Sequence, residues 1–444
     1  MSNATTKETG LPWLPEIPSR WSMMRNKDFL IETKDTVGEN SSEYTLLSLT
    51  TRGIVPRDME SGKGKFPSDF SKYKIVRKGD IAFCLFDIDE TPRTVGLSSH
   101  DGMLTGAYSI FHVKDINPRY LYHYYVALDN VKALKPLYTG LRKTISSNVF
   151  ASLKIPVPPV EEQEKIVDFL DWQESVVNKL IATKRREIAL LKEAEHIFIK
   201  QTILSGESDC KKQRTGLPWI PEVPSHWSKS RHKFLFNVSS TKVGDKSSEY
   251  SLLSLTTKGV ILRDMESGKG KFPSDFSSYQ VVKKGQFVFC LFDVDETPRT
   301  VGIAKDDGMI TGAYTVFDIK GADPEYLLYY FLMIDDEKAF KPLYTGLRKV
   351  INVDTFLAQT IYLPSMDEQK YIVRKINSFL NESKKTEQVY QQELTLLKEI
   401  RTNIALQTIS GSIDTRKIAI PVFDVVQDMD ENSDDEIIDT GEEA

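Results

Sequence analysis

The chain has 444 residues, more than a single ordinary domain of roughly 100–200 residues accounts for. A composition of 40% hydrophobic and 27% charged residues suits packed cores and excludes a wholly disordered chain. No apolar run approaches the ~18 residues that span a bilayer, which excludes a membrane-spanning helix. The net charge of −5 is unevenly spread: residues 421–444 hold ten acids and no Lys or Arg, leaving residues 1–420 at +5. The body is therefore mildly basic. The acidic end reads as a disordered solvating segment, with nucleic-acid mimicry as the weaker alternative.

The sequence is one unit written twice. GLPWLPEIPSRW at residues 10–21 returns as GLPWIPEVPSHW at 216–227, an offset of 206. RDMESGKGKFPSDFS (57–71), DETPRTVG (89–96) and KPLYTGLRK (135–143) recur unchanged at the same offset. The period is far longer than that of solenoid repeats, so each copy is a domain with an appendage.

In chain order, the opening MSNATTKETG carries neither the basic nor the apolar region of a signal peptide. The Pro- and Trp-rich lead-in begins a first domain, taken as residues 1–160. Strand-like runs follow at 44–50, 80–86 and 107–113. Cys84 and Cys290 sit inside such runs as small core residues, and three cysteines in all fit a reduced, cytoplasmic setting. A short helix starts at Pro118 and carries Tyr120, Leu121, Tyr124 and Tyr125. The domain closes on Ile155-Pro-Val-Pro-Pro159, and is read as α+β with a compact, mainly β core.

Residues 161–205 form the first appendage. Apolar residues at Ile166, Leu170, Val177, Leu180, Ile181, Ile188 and Leu191 recur in three- and four-residue steps, which predicts a long amphipathic helix with coiled-coil spacing. A linker (206–215), a second domain (216–365), a second helix (366–412) and the acidic tail (413–444) complete the chain. Helix 1 leads away from domain 1 and helix 2 starts from domain 2, so packing of their apolar stripes makes them antiparallel. Two near-identical domains are then expected about an approximate two-fold axis.

Catalytic patterns are missing. Gly62-Lys63-Gly64-Lys65 lacks the spacing of a phosphate-binding loop. Asn117-Pro118-Arg119-Tyr120 falls short of the Asn-Pro-Pro-Tyr motif of adenine methyltransferases and is read as a helix start, as is Asp323-Pro324. The six histidines have no metal-ligand spacing, and no metal is expected. Asp87, Asp89 and Glu90, with Asp293, Asp295 and Glu296, are read as turn and edge residues.

This layout resembles the specificity subunit of type I restriction-modification systems, a family with two target-recognition domains each followed by a long helix. The lead-in and its repeat resemble the segment that opens those domains. Residues 155–166, IPVPPVEEQEKI, resemble the family's transition into the helix, with Glu162 and Gln163 most typical; Glu368 and Gln369 are the second instance, where Ser365 replaces a proline. Thr139-Gly-Leu-Arg-Lys143 and its repeat resemble a Gly-x-Arg loop of these domains. The resemblance covers about residues 10–412. It implies a non-catalytic subunit that binds double-stranded DNA, two modification (methyltransferase) subunits and motor-nuclease (restriction) subunits. S-adenosylmethionine, ATP and Mg are then expected on those partners, with no cofactor on this chain.

Reading DNA needs phosphate contacts for position and base-edge contacts for sequence. Three recurring segments offer suitable side chains. Arg57, Lys63 and Lys65 are matched by Arg263, Lys269 and Lys271. Arg93 and Thr94, beside Thr91, are matched by Arg299 and Thr300. Tyr138, Arg142 and Lys143 are matched by Tyr344, Arg348 and Lys349. Trp172, Phe198 and Ile199 lie off the main helical stripe and are the candidates for docking a partner. The competing expectations are a stand-alone regulator binding an inverted repeat, and a tandem ligand-binding protein whose helices only space two modules.

Overall fold

The computed structural model describes residues 5–57, 69–140, 143–206, 210–263, 275–344 and 349–426. The chain divides into two compact units. Unit 1 takes the chain up to Glu187 together with that from Val389 onward, and unit 2 takes Ile188–Gln388.

In unit 1 the central sheet has the order Leu30–Thr33, Ser109–Val113, Ile81–Phe83, Val95–Leu97, antiparallel throughout. Side chains alternate between its faces. Ile81, Phe83, Val95 and Phe111 join the main core beneath helix α1 (Pro118–Asn130), while Ala82, Cys84 and Ile110 join a second cluster with Leu47, Leu49 and Leu104. Both faces are covered, so the inner strand Ile81–Phe83 is apolar and buried at every position. Asn117 caps α1, accepting from the Arg119 and Tyr120 amides, with Pro118 in the first turn. Gly102 is required by packing: a Cβ there would run into the Thr45 carbonyl. A short helix α2 (Ser147–Ser152) and the strand Lys154–Val157, paired with Ser22–Arg25, lead into helix α3 (Val160–Ser205).

Unit 2 repeats the plan. Its sheet runs Phe236–Ser239, Thr315–Ile319, Phe287–Phe289, Val301–Ile303, and its helices are α4 (Pro324–Asp336), α5 (Val353–Ala358) and α6 (Met366–Ile409). Phe287 and Phe289 face α4; Val288 and Val316 face the second cluster.

The Glu-Gln pair at each long-helix start is a structural joint. Gln163 accepts from the Asn117 amide (2.8 Å) and donates to the Pro158 carbonyl (2.9 Å), while Glu162 takes a forked contact from Arg20. In unit 2, Gln369 accepts from the Asp323 amide (2.8 Å), and Glu368 binds His226 (2.9 Å) and the Trp227 indole (3.1 Å). All four residues are buried. Each fixes the helix to its domain by pairing polar groups that burial would otherwise leave unsatisfied.

The long helices are antiparallel within each unit. In unit 1, Lys184 meets Glu393 (2.9 Å), Asn178 meets Arg401 (2.9 Å), and Ile166 shares a core with Ile409. In unit 2, Lys192 meets Glu387 (3.0 Å), Phe198 stacks on Phe379 (4.0 Å between centroids), and Ile203 shares a core with Ile372.

Two expectations need correction. The stretch read as linker up to residue 215 already contains most of the strand Lys212–Leu217, which pairs with Ile220–Pro224. The tail, expected to be disordered from 413, begins as packed structure: Ile413, Ile418 and Ile420 lie on the unit 1 core, and Thr415 is buried. The Val426 amide donates to Ser175 Oγ (3.0 Å), and its carbonyl accepts from Asn178 Nδ2 (2.8 Å). Isoleucines spaced along this segment supply the apolar burial that its acids cannot. Residues 427–444 lie outside the described residues.

Candidate nucleic-acid interface

Arg57 and Arg263 follow the strands Gly53–Pro56 and Gly259–Leu262, and their amides donate to the Leu46 and Leu252 carbonyls, both at 2.9 Å. They open the identical 57–71 and 263–277 sequences, Arg57 half-buried and Arg263 exposed. Lys63, Lys65, Lys269 and Lys271 lie outside the described residues.

The second group forms an internal anchor, a structural role that the reading as a DNA surface does not include. Thr94 is buried and donates through its amide (3.0 Å) and hydroxyl (2.7 Å) to the Asp129 carboxylate. Arg93 reaches the same carboxylate at 3.2 Å and Asn130 at 3.0 Å, and Lys132 adds an ammonium at 2.8 Å. Thr300, Arg299 and Lys338 surround Asp335 in the same way at 2.7–3.1 Å. Asp129 and Asp335 are 4% exposed at the ends of α1 and α4. A carboxylate buried there needs several donors, and the Arg-Thr pair supplies them.

The third group is engaged in local ion pairs and hydrogen bonds at its described members, which stay partly exposed. Lys143 binds Asp89 (3.1 Å) and Glu90 (2.5 Å), Tyr138 reaches Asp89 at 3.5 Å, and Lys135 stands at 3.7 Å. In unit 2, the Tyr344 hydroxyl meets Asp295 Oδ1 at 2.5 Å, while Lys341 and Lys349 lie at 3.5 and 3.6 Å and Lys349 also pairs with Glu296. Hydrogen bonds to Glu90 and Asp89 hold the Lys143 ammonium well above its usual range. The Tyr344 hydroxyl bond holds the Asp295 carboxyl below its usual range. Direct phosphate contacts by Lys143 or Lys349 would compete with these pairs for the ammonium. Arg142 and Arg348 lie outside the described residues. The structure thus brings together the 89–94 and 138–143 segments, joined through Asp89 and Glu90.

The partner-docking residues expected from sequence are half-buried against domain cores. Trp172 sits half-buried against the unit 1 core, edge-on to Phe169 at 6.0 Å, and Phe198 and Ile199 pack onto the unit 2 core. Each lies where the helix passes a domain core, so an off-stripe apolar residue already has a partner. Other apolar residues have none of that cover. Val176, Leu180, Leu190 and Ile197 on α3, and Val389, Leu396 and Ile400 on α6, are 39–54% exposed. The signal was a second heptad: Val176, Leu190 and Ile197 share one seven-residue register, as do Val389 and Leu396. Leu180, assigned by spacing to the inner stripe, belongs with this exposed set.

Among the described residues no group of three or more His, Cys, Asp or Glu side chains could hold a metal ion, and no helix is long and apolar enough to cross a membrane.

Comparison with known proteins fits this geometry. The chain is 26% identical over 256 residues to the type I restriction enzyme MjaVIII specificity subunit of Methanocaldococcus jannaschii, covering 53% of this chain and 57% of the relative. It is 25% identical over 235 residues to the putative MjaX specificity subunit of the same organism, covering 48% and 52%. The chain therefore spans little more than half the length of these curated relatives. A solved structure concerning complex assembly and conformational transition of the type I R-M system matches 89% of this chain and 99% of its own, with a TM-score of 0.60 at 14% identity, a likeness of fold alone. The family model for the type I restriction modification DNA specificity domain matches residues 18–190 and 301–395, more than half of the chain and parts of both repeats. The chain belongs to that family.

Proposed function

We propose that this chain is the sequence-specific DNA-recognition subunit of a type I restriction-modification complex, reading a bipartite palindromic site and docking adenine methyltransferase subunits. The observation that carries this reading is an inversion of the usual pattern of variation. Buried positions have drifted between the copies: Asn26 to His232, Phe29-Leu30 to Leu235-Phe236, Ile81 to Phe287, Ala127 to Met333. The segments 57–71, 89–96 and 135–143 have not changed at all. Loops ordinarily vary faster than the cores beneath them. Packing accounts for the identity at 89–96 and in part at 135–143. The basic, Gly-rich 57–71 segment is the one best suited to a shared ligand, and phosphates and base edges are ligands for Arg and Lys.

Near-identical heads read the same bases, so the half-sites are inverted copies separated by a fixed gap. The exposed apolar residues of α3 and α6 support docking, because a helix pair that served only as a spacer would have no use for a second apolar stripe. Methyl transfer, with S-adenosylmethionine, and ATP- and Mg-dependent cleavage then belong to the partner subunits. Single-molecule sequencing of DNA from cells carrying the complex tests the reading. Methylated adenines in a palindromic bipartite motif are expected. An asymmetric motif would overturn the symmetry, and no motif dependent on this chain would overturn the recognition role.

A further inference from the structure

A carboxylate weakens any surface that must approach phosphates. Yet each head of this protein places an aspartate, Asp89 or Asp295, beside the loop that carries its Gly-Leu-Arg-Lys segment. Three groups from that segment converge on Asp89: Lys143 at 3.1 Å, Tyr138 at 3.5 Å and Lys135 at 3.7 Å. Three converge on Asp295, and the Asp295 amide also donates to the Tyr344 hydroxyl at 2.7 Å.

The backbone around this clasp is held in an unfavourable form. Asp87, Lys143, Asp293 and Lys349 all have φ between +44° and +46°, where a side chain is disfavoured and glycine is the usual choice. Such conformations persist only when neighbouring contacts over-determine them. The contacts are present here. Thr139 and Thr144 exchange backbone hydrogen bonds (3.1 and 3.2 Å), and the Ile145 amide donates to the Leu85 carbonyl (2.8 Å). In unit 2, the Ile351 amide donates to Leu291 (2.7 Å) and the Asp293 amide to Lys349 (3.2 Å).

We propose that Asp89 and Asp295 are positioning residues for sequence-specific DNA binding: each closes a clasp that holds Lys135, Tyr138 and Lys143, or Lys341, Tyr344 and Lys349, in one arrangement. This rests on the DNA-recognition reading. Lys143 and Lys349 are then structural members of the clasp and do not contact phosphate. The acid is retained against its electrostatic cost because its geometry defines that arrangement.

The sign of a charge removal tests this. Asp89→Asn with Asp295→Asn removes two negative charges from a DNA-binding protein. If the acids were merely repulsive surface, binding to every duplex would tighten. The clasp predicts opposite shifts. Affinity of the full chain for its preferred duplex, selected from a random pool by the unmodified chain, falls on the order of tenfold. Affinity for a scrambled duplex at low salt rises. Hydrogen exchange at the Thr144, Ile145 and Ile351 amides quickens while exchange in the sheet strands stays unchanged. Tighter binding to both duplexes, or unchanged exchange at those amides, overturns the proposal. If the unmodified chain shows no sequence preference, the DNA-recognition reading fails instead, and the clasp is decided by exchange alone.

Discussion

The two units are the same structure built with different interiors. In unit 1, the buried Asn26 donates to the Phe150 carbonyl (2.8 Å) and accepts from the Tyr125 hydroxyl (2.6 Å). In unit 2, the corresponding residue is His232, and Tyr125 has become Phe331; the imidazole packs against Phe331, Phe356, Phe236 and Phe340. Losing the hydroxyl with the amide removes a donor and its acceptor together, the combination that costs least in a core. The joint between the short and long helices has changed as a set too. Arg119, His123 and Asp171 form a charged triad in unit 1, whereas Glu325, Tyr329 and Asn377 make one ion-pair-free hydrogen-bond chain in unit 2. Drift inside a fold is tolerated when partners move together. Against it, the features that have not moved stand out: the Asp129 and Asp335 anchors, the Asp89 and Asp295 clasps, and the 57–71 sequence.

The largest expected effect breaks an unmoved feature. Asp129→Ala leaves Arg93 and Lys132 without their shared carboxylate and Thr94 without its acceptor, and Asp335→Ala does the same in unit 2. Removing one partner of such a buried network costs about 3–5 kcal/mol. Hydrogen exchange reads the units separately, and each substitution should lower protection in its own unit by a similar amount. Markedly unequal losses would mean that the anchors are not equivalent.

A smaller effect separates the interiors by pH. Burial pushes the His232 imidazole down to about 3, against a hydrogen bond with Phe356 that favours the charged form. Its folded value lies below the unfolded value of 6.5, so the folded state resists protonation. Stability is full above about pH 6.5 and declines as pH falls toward 3. The decline is about 1.4 kcal/mol per pH unit, or roughly 2 kcal/mol at pH 5. Unit 2 should therefore weaken more than unit 1 between pH 7 and pH 5. The paired substitution His232→Asn with Phe331→Tyr should remove the difference; its persistence in that variant would assign it to other groups.

Legibility from sequence followed the range of the interactions. The long helices were visible because their signals are local: no Gly or Pro, and apolar residues in heptad steps. The short helix was visible from Asn117-Pro118, a cap and a first-turn proline. The Arg93-Thr94 anchor was hidden because its partner, Asp129, lies 36 residues away and nothing near either residue announces burial. An arginine in a polar loop has the same local signature whether it faces phosphate or a buried carboxylate. Trp172, Phe198 and Ile199 were misplaced for a related reason: helical spacing shows which residues leave the stripe, but not which stretch of helix lies against a domain. Ile413, Ile418 and Ile420 look unexceptional beside an acidic tail until the core they cover is in view.

The smallest effect concerns the joint between short and long helix, where the units differ in kind. Asp171 in unit 1 is met by the Arg119 guanidinium and by His123 at 2.9 Å, with Arg119 itself 56% exposed. An ion pair open to solvent on one side contributes about 0.2–1 kcal/mol and is screened by salt. Asn377 in unit 2 instead accepts from Tyr329 (2.6 Å) and donates to Glu325 (2.9 Å), so no opposite charges meet there. Raising the salt concentration from 0.05 M to about 1 M shortens the Debye length to roughly 3 Å, less than the separation of most charge centres. Protection of the amides in Pro118–Asn130 should fall by about 0.5 kcal/mol, while that in Pro324–Asp336 stays level. Asp171→Asn should abolish the salt response at a small cost in stability, because the amide oxygen still accepts from Arg119 while its NH2 can donate to the Nε2 of a His123 tautomer protonated on Nδ1. An equal response in both units would trace it to a property they share, and a response surviving Asp171→Asn would place it outside the triad.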